Sequence, residues 1–467
     1  MRKPLTSRKP SRTRPGVAGH LPVMVSAPLA LGVSLVGSAA DAQQIISTRT
    51  TTTLYTTQSN ILITNTGAIS DDGPGSANEL YTGIGIRSPL GWTFTNNGTI
   101  KVSGEFHVYP QGSGVYSTYT GTLTNTGLIS ALNASSGVYS GNSSGVSFMP
   151  ITNLGTIIAD YRAIFAKHNA SIVNGSASDR SALIRNYRTP SASHAAIDIG
   201  GGSAAANTIV NYGTIIGTAD AIATTGATTI TNYGMIQAGT GYNAVNFRSG
   251  SSNILALKDG SQITGNLRSA VTGSNAVTLE GSGTLSGTIS GFASLTMSGT
   301  DWSLNGAGTI TDTAVQSGIL RFTGTLASAV AVNNGGTLVS TGTVNGALNA
   351  ASGATVVPTS AGAPGTLTVS GAYTQSNGAT LAIHTTPTDS SKLAVGGAAS
   401  LDGTLAVVSS GSGYALPIQH TILTAASITG AFASVTESDP TLTPTLTYDS
   451  ANNRVLLTLT SPPPPPP

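Results

Sequence analysis

One motif constrains the fold of this 467-residue chain more than any other: an apolar residue, Thr or Val, then Asn-x-Gly-x-Ile, returning along the first half. The six full copies place Asn65 and Gly67, Asn96 and Gly98, Asn125 and Gly127, Asn153 and Gly155, Asn211 and Gly213, and Asn232 and Gly234 in equivalent positions, with the asparagines 31, 29, 28, 58 and 21 residues apart. A shortened copy, Ile172-Val173-Asn174-Gly175, divides the longest gap. After each copy comes a small residue and then Ile or Val, as in Gly83-Ile84, Gly114-Val115, Gly137-Val138, Ala163-Ile164, Ala221-Ile222 and Ala244-Val245. Each unit therefore holds at least two short strands. Such a unit cannot bury an apolar face alone, but stacked in parallel it builds a continuous aliphatic core. The repeat predicts an all-β fold, a right-handed parallel β-helix. A propeller needs about 40 residues per blade with aromatic signatures that are missing here. The glycines are expected to supply a positive φ at tight corners, and the asparagines to cap those turns and bond one another in a ladder.

Composition agrees with a stack of small side chains. Gly contributes 58 residues, aromatics 5% and charged residues only 8%, while 39% are hydrophobic, so the chain has surface to bury but few helix formers on which to build helices. Beyond about Ser274 the pattern shortens to Gly-Thr-Leu and Gly-Thr-Ile strokes, among them Gly283-Thr284-Leu285, Gly308-Thr309-Ile310 and Gly336-Thr337-Leu338. At about 4.8 Å per rung, some 15 rungs predict a rod of roughly 70 Å.

The N-terminus reads as a targeting segment. Arg2, Lys3, Arg8, Lys9, Arg12 and Arg14 precede an uncharged run from Leu21 to Gly37, which ends in Ala40-Asp41-Ala42. A basic leader, a short apolar stretch and an A-x-A site predict a secretory signal peptide over 1–42, cut after Ala42; the 17-residue run falls short of the roughly 20 needed for a spanning helix. Its removal takes six of the 20 basic and one of the 18 acidic residues, leaving 14 against 17. That balance excludes nucleic acid as an expected partner, because phosphate neutralisation needs clustered cations. The absence of cysteine suits a chain that crosses a second barrier unfolded.

From about Val315 to Thr460 the chain resembles the C-terminal part of autotransporter passenger domains, the pertactin-like group. The resemblance is carried by Gly318-Ile319-Leu320, Val332-Asn333-Asn334-Gly335-Gly336-Thr337-Leu338, Gly365-Thr366-Leu367-Thr368-Val369, Tyr373-Thr374-Gln375-Ser376-Asn377-Gly378, Gly430-Ala431-Phe432 and Pro444-Thr445-Leu446-Thr447-Tyr448-Asp449. It implies a β-helix closed by a stable, autochaperone-like cap, displayed at the cell surface or outer membrane, or held in the periplasm where no barrel is supplied. The expected organisation is a leader (1–42), an Asn-x-Gly-x-Ile helix (43–273), a continued helix with short rungs (274–350), a cap (351–461) and a proline terminus (462–467). The family's linker and outer-membrane barrel do not follow in this sequence, which reads as a truncated or frame-shifted member. Adhesion or self-association, without catalysis, is the implied function, and the implied partners are surface glycans, surface proteins or identical passengers.

Candidate chemistry is sparse. His107, His168, His194, His384 and His420 show no metal-ligand spacing, so neither a metal nor a cofactor is expected. Gly141-Asn142-Ser143-Ser144-Gly145 matches a nucleophile elbow without a readable helix behind it, and Asp71-Asp72 sits in a turn-forming Gly-Pro-Gly context. The alternative function, a β-helical polysaccharide-degrading enzyme, requires carboxylates aligned on one face. Two groups suggest binding. Tyr116, Tyr139 and Phe165 follow inward-pointing Val or Ile on successive rungs and are expected to form an exposed aromatic strip. Arg185, Tyr187 and Arg188, with Arg180 and His194, read as a basic and aromatic insertion between rungs, suited to an anionic glycan.

Overall fold

The computed structural model describes residues 43–50, 58–71, 92–102, 121–132, 136–141, 149–188, 194–200, 206–249, 252–270 and 273–463, together with the strands Val33–Val36, Leu54–Thr56, Thr82–Ile86 and Ser113–Ser117. Ala40 and Ala42 of the expected cleavage site, and residues 142–148 after Gly141 of the elbow match, lie outside the described residues.

The chain folds as a parallel β-helix. A typical rung is made of Ser136–Ser140 on a first face, Met149–Asn153 on a second and Thr156–Ala159 on a third, and each strand pairs in parallel with its counterpart one turn on. On the second face the pairing is unbroken across seventeen strands, from Gln43–Ile46 to Ser427–Gly430. At about 4.8 Å per rung this stack is roughly 80 Å long.

Alternation along each strand sends one side chain in two to the axis. On the third face Ile100, Ile129, Ile157, Ile184, Ile215, Ile236 and Ile263 stand in register, all at most 4% exposed. On the first face the same column is Val115, Val138, Ile164, Ile197, Ile222 and Val245. Each such side chain contributes about 1.5–3 kcal/mol by leaving water.

The corner between the second and third faces carries the asparagines. Asn96, Asn125, Asn153, Asn174, Asn211 and Asn232 are fully buried, and the Nδ2 of each donates to the Oδ1 of the next at 2.7–2.8 Å. The same amides reach backbone carbonyls of their own corner and of the following rung, as when Asn125 donates to Gly127 O (3.1 Å) and Thr156 O (3.2 Å). Asn65 stands apart: Ile63, not Asn65, is in register with Asn96, and Asn65 is exposed in a corner two residues longer.

The corner glycines differ from expectation. Gly67, Gly98, Gly127, Gly155, Gly213 and Gly234 do not occupy the left-handed region; each lies so close to the turn beneath that a Cβ would collide with a backbone carbonyl oxygen, Gly98 O for Gly127 and Gly127 O for Gly155. Lack of a side chain, rather than conformational freedom, is what these positions need. Gly175 alone in the series has a positive φ, 78°, because it follows Asn174 directly and turns the chain into a different loop.

After Asn232 the polar column becomes apolar, continuing as Leu257, Leu279, Met297, Val315 and Val332. The corner between the first two faces then opens, and single strands Ile289–Met297, Gly308–Val315 and Thr325–Val332 run across both faces with register shifts at Ser290/Phe292 and Thr309/Asp312. These shifts leave a crease of about 500 Å³ beside Phe292, Thr311 and Ala329. Parallel rungs continue through most of the region from 351 onward. The stack ends where Ile418–Thr424 meets Arg454–Thr460 antiparallel, which pairs in turn with Thr443–Asp449. Val455, Leu457 and Leu459 from this meander are buried, and Pro444 sits on its outermost strand, where a missing N–H costs no ladder bond.

Candidate functional site: a basic and aromatic corner

The aromatic and basic groups converge at one corner, between the third and first faces, but not as the sequence suggests. Tyr116, Tyr139 and Phe165 are in register on successive rungs of the first face. The side chain of Tyr116 lies outside what is described. Tyr139 is only 8% exposed, so it does not form an open strip: its ring meets that of Phe165 edge-on, centroids 5.3 Å apart at 61°. The Arg162 guanidinium lies 4.6 Å from the centre of the Phe165 ring and shields it further.

Asp198 occupies the next position of that column. Its carboxylate accepts from Arg162 Nε and Arg248 Nη1, both at 2.8 Å, and its side chain is 5% exposed. Pairing with two cations satisfies a buried carboxylate that would otherwise be costly. Asp220, also buried, accepts from the backbone and side-chain nitrogens of Asn243 and from Asn246 Nδ2. The carboxylates of Asp198 and Asp220 are thus consumed by structure. Among the described residues no three His, Asp or Glu side chains are grouped to hold a metal ion.

Residues 183–186 are not an insertion, since Leu183–Asn186 is the third-face strand of a rung and Ile184 belongs to the core. The proposed basic group consequently divides. Arg180 reaches a distant corner, where its Nη1 donates to Tyr233 O at 2.9 Å. Arg185 projects from the third face over the exposed Tyr187 ring at 4.4 Å. Arg188 packs over the buried Tyr161 ring at 4.0 Å, and His194 meets the same ring edge-on at 4.8 Å. Asn186 locks these pieces together: its Nδ2 donates to Tyr161 O (2.7 Å) and His194 O (3.0 Å), and its Oδ1 accepts from Thr218 N.

Burial first, then the positive fields of Arg162 and Arg188, lower the His194 pKa from its ordinary value, with Asp198 opposing. The imidazole is therefore neutral at pH 7 and gains charge only on acidification. The corner offers planar guanidinium groups against aromatic faces, a chemistry suited to carboxylate or sulfate oxygens and to sugar rings. Sequence reasoning passed over Tyr161, Arg162, Asp198 and Arg248, which carry no motif and come together only through register. It also missed Tyr212 and Tyr233, whose rings stack at 4.7 Å and 8° on successive corners; the visible sign was tyrosine at the x position of two neighbouring Asn-x-Gly copies.

No known family model matches this chain, and no curated protein sequence matches it. Among solved structures it is similar to the Haemophilus influenzae Hap adhesin, with 13% identity and a TM-score of 0.38 over 90% of this chain and 57% of that one. The chain thus spans little more than half the length of that adhesin.

Proposed function

We propose that this chain is an exported autotransporter-type passenger that acts by non-catalytic adhesion, and that the corner formed by Tyr161, Arg162, Arg185, Tyr187, Arg188 and His194 contacts an anionic surface glycan. The observation that carries this reading is the convergence at that corner of guanidinium groups, each laid against an aromatic ring, on the outside of a long capped solenoid. The pertactin-like succession from Val315 to Thr460 supports the passenger assignment. Rigidity lets many weak contacts along one rod add through avidity. A polysaccharide-degrading activity is the less supported reading, because Asp198 and Asp220 are occupied by Arg162, Arg248, Asn243 and Asn246.

The test is binding of the purified chain to a panel of sulfated and carboxylated glycans. Replacing Arg185 and Arg188 together by Ser is expected to weaken binding at least tenfold, about 1.4 kcal/mol, with unchanged circular dichroism. Undiminished binding by the double variant would dispose of the corner as the contact site. Exported location is checked separately, by protease accessibility of the chain on intact cells.

A further inference from the structure

Tyr212 and Tyr233 fill the same place on successive rungs, directly after two members of the asparagine ladder. The strands that flank them are in register on both sides, Asn211 with Asn232 before the corner and Thr214 with Met235 after it. The two corners are therefore equal in length, and both side chains leave the backbone in the same direction. Backbone bonds hold each corner to the preceding rung, Tyr212 N to Asn174 O at 2.8 Å and Tyr233 N to Asn211 O at 2.7 Å, and Arg180 Nη1 fixes Tyr233 O. The rings lie almost flat on one another, with centroids 4.7 Å apart and 8° between planes. Both residues are half-buried, within reach of a small oxidant, and their phenol groups make no hydrogen bond to the described residues. By contrast Tyr161 and Tyr373 are buried, and the Tyr414 and Tyr448 hydroxyls are engaged by Thr385, Ser410 and the Phe432 N–H.

We propose that Tyr212 and Tyr233 form a site of oxidative modification, at which a one-electron oxidant, a haem peroxidase supplied with hydrogen peroxide, joins them as a dityrosine that staples two rungs. Each phenol gives up its hydroxyl hydrogen as one electron and one proton. This leaves a phenoxyl radical whose unpaired spin is shared with the ring carbons beside the oxygen, Cε1 and Cε2. The two radicals combine in a Cε–Cε bond between the rings, and the hydrogens on the joined carbons move to the oxygens and restore both phenols. The protein loses two electrons and two protons in all, and one hydrogen peroxide takes them up and leaves as two waters. The fold supplies the proximity, since two rings held side by side combine faster than either meets a second chain. Such a staple suits a chain without cysteine. The two tyrosines are 21 residues apart and meet only once the register is set, so the link forms on the folded rod and does not obstruct passage of an unfolded chain. Like a disulfide, it removes conformations from the unfolded state and so stabilises the folded one. Neither tyrosine belongs to the glycan corner, so loss of glycan binding leaves the cross-link untouched.

The test is oxidation of the purified, folded chain with a haem peroxidase and hydrogen peroxide, followed by a protease that cuts at aspartate, since Asp220 lies between the two tyrosines. The expected result is dityrosine fluorescence from monomeric chain, and a joined pair of peptides, one holding Tyr212 and the other Tyr233, lighter than their sum by two hydrogens. Tyr212→Phe and Tyr233→Phe keep the stacked rings, so each is expected to fold, checked by circular dichroism, and to lower the intramolecular yield by about tenfold or more. Oxidation of the wild type in urea is expected to lower it as far. The oxidised, refolded wild type is expected to melt at a higher temperature than the oxidised Tyr212→Phe chain. Absence of dityrosine, a link that maps to another pair such as Tyr116 with Tyr139, a link only between chains, or a yield that neither the Phe variants nor urea lowers overturns the proposal. A link between Tyr212 and Tyr233 that leaves the melting temperature unchanged overturns its role as a staple.

Discussion

At the scale of single residues, the fold is governed by what cannot be accommodated as much as by what packs. Gly283 shows this in the core: a Cβ there would press into the ring of Trp302, which is fully buried one rung on and donates Nε1–H to Glu280 O at 3.2 Å. Titratable residues are equally constrained. His194 has a lowered pKa through burial, Arg162 and Arg188, so the unfolded chain binds more protons than the folded one between the lowered value and about 6.5. Stability from this group is complete above about pH 6.5 and is lost as pH falls through the folded value. His420, lowered by burial against the opposing field of Asp389, acts in the same direction. His194→Gln is expected to reduce, without abolishing, the drop in urea midpoint between pH 7.5 and pH 5. An unchanged drop would mean that His194 titrates freely at its corner.

At the scale of the element, the asparagine ladder turns six separate corners into one hydrogen-bonded column. An interior member such as Asn153 has ladder partners on both sides, Asn125 and Asn174, whereas Asn232 has one, Asn211, and faces Leu257 on its other side. Replacing Asn153 by Leu leaves buried polar groups stranded on two rungs, at about 1–3 kcal/mol per group, while Asn232→Leu merely extends the apolar column that begins at Leu257. Urea denaturation is expected to show the interior variant less stable than the terminal one by about 1–3 kcal/mol. Equal losses would indicate that the ladder bonds contribute little beyond the corner contacts. The ladder was legible in the sequence because its members recur with a glycine two residues later. The exclusion of Asn65 was not, since the register of Ile63 with Asn96 depends on pairing across rungs.

At the scale of the whole molecule, each rung touches only its neighbours, so the two ends of the stack are where sheet edges need cover. The antiparallel strands Ile418–Thr424, Arg454–Thr460 and Thr443–Asp449 cover one end, with Leu423, Val455, Leu457 and Leu459 buried. Removal of residues 441–467 is expected to lower the melting temperature and to cause light scattering on heating, because an unpaired strand and its apolar side chains are left uncovered. A truncated chain that melts like the full one, without scattering, would show that the preceding rungs close the stack by themselves.

The sequence by itself determined the period, the aliphatic core and the identity of the ladder, because each is a local pattern repeated often enough to stand above chance. Which way Tyr139 and Phe165 are covered, how Arg162 and Arg248 meet at Asp198, and that Arg180 parts from Arg185 and Arg188 were decided only by the tertiary structure. Those contacts join residues from different rungs, and their positions depend on the register of stacked strands and on the lengths of the intervening loops. Register also laid Tyr212 on Tyr233, which belong to different rungs and meet only once the strands are stacked.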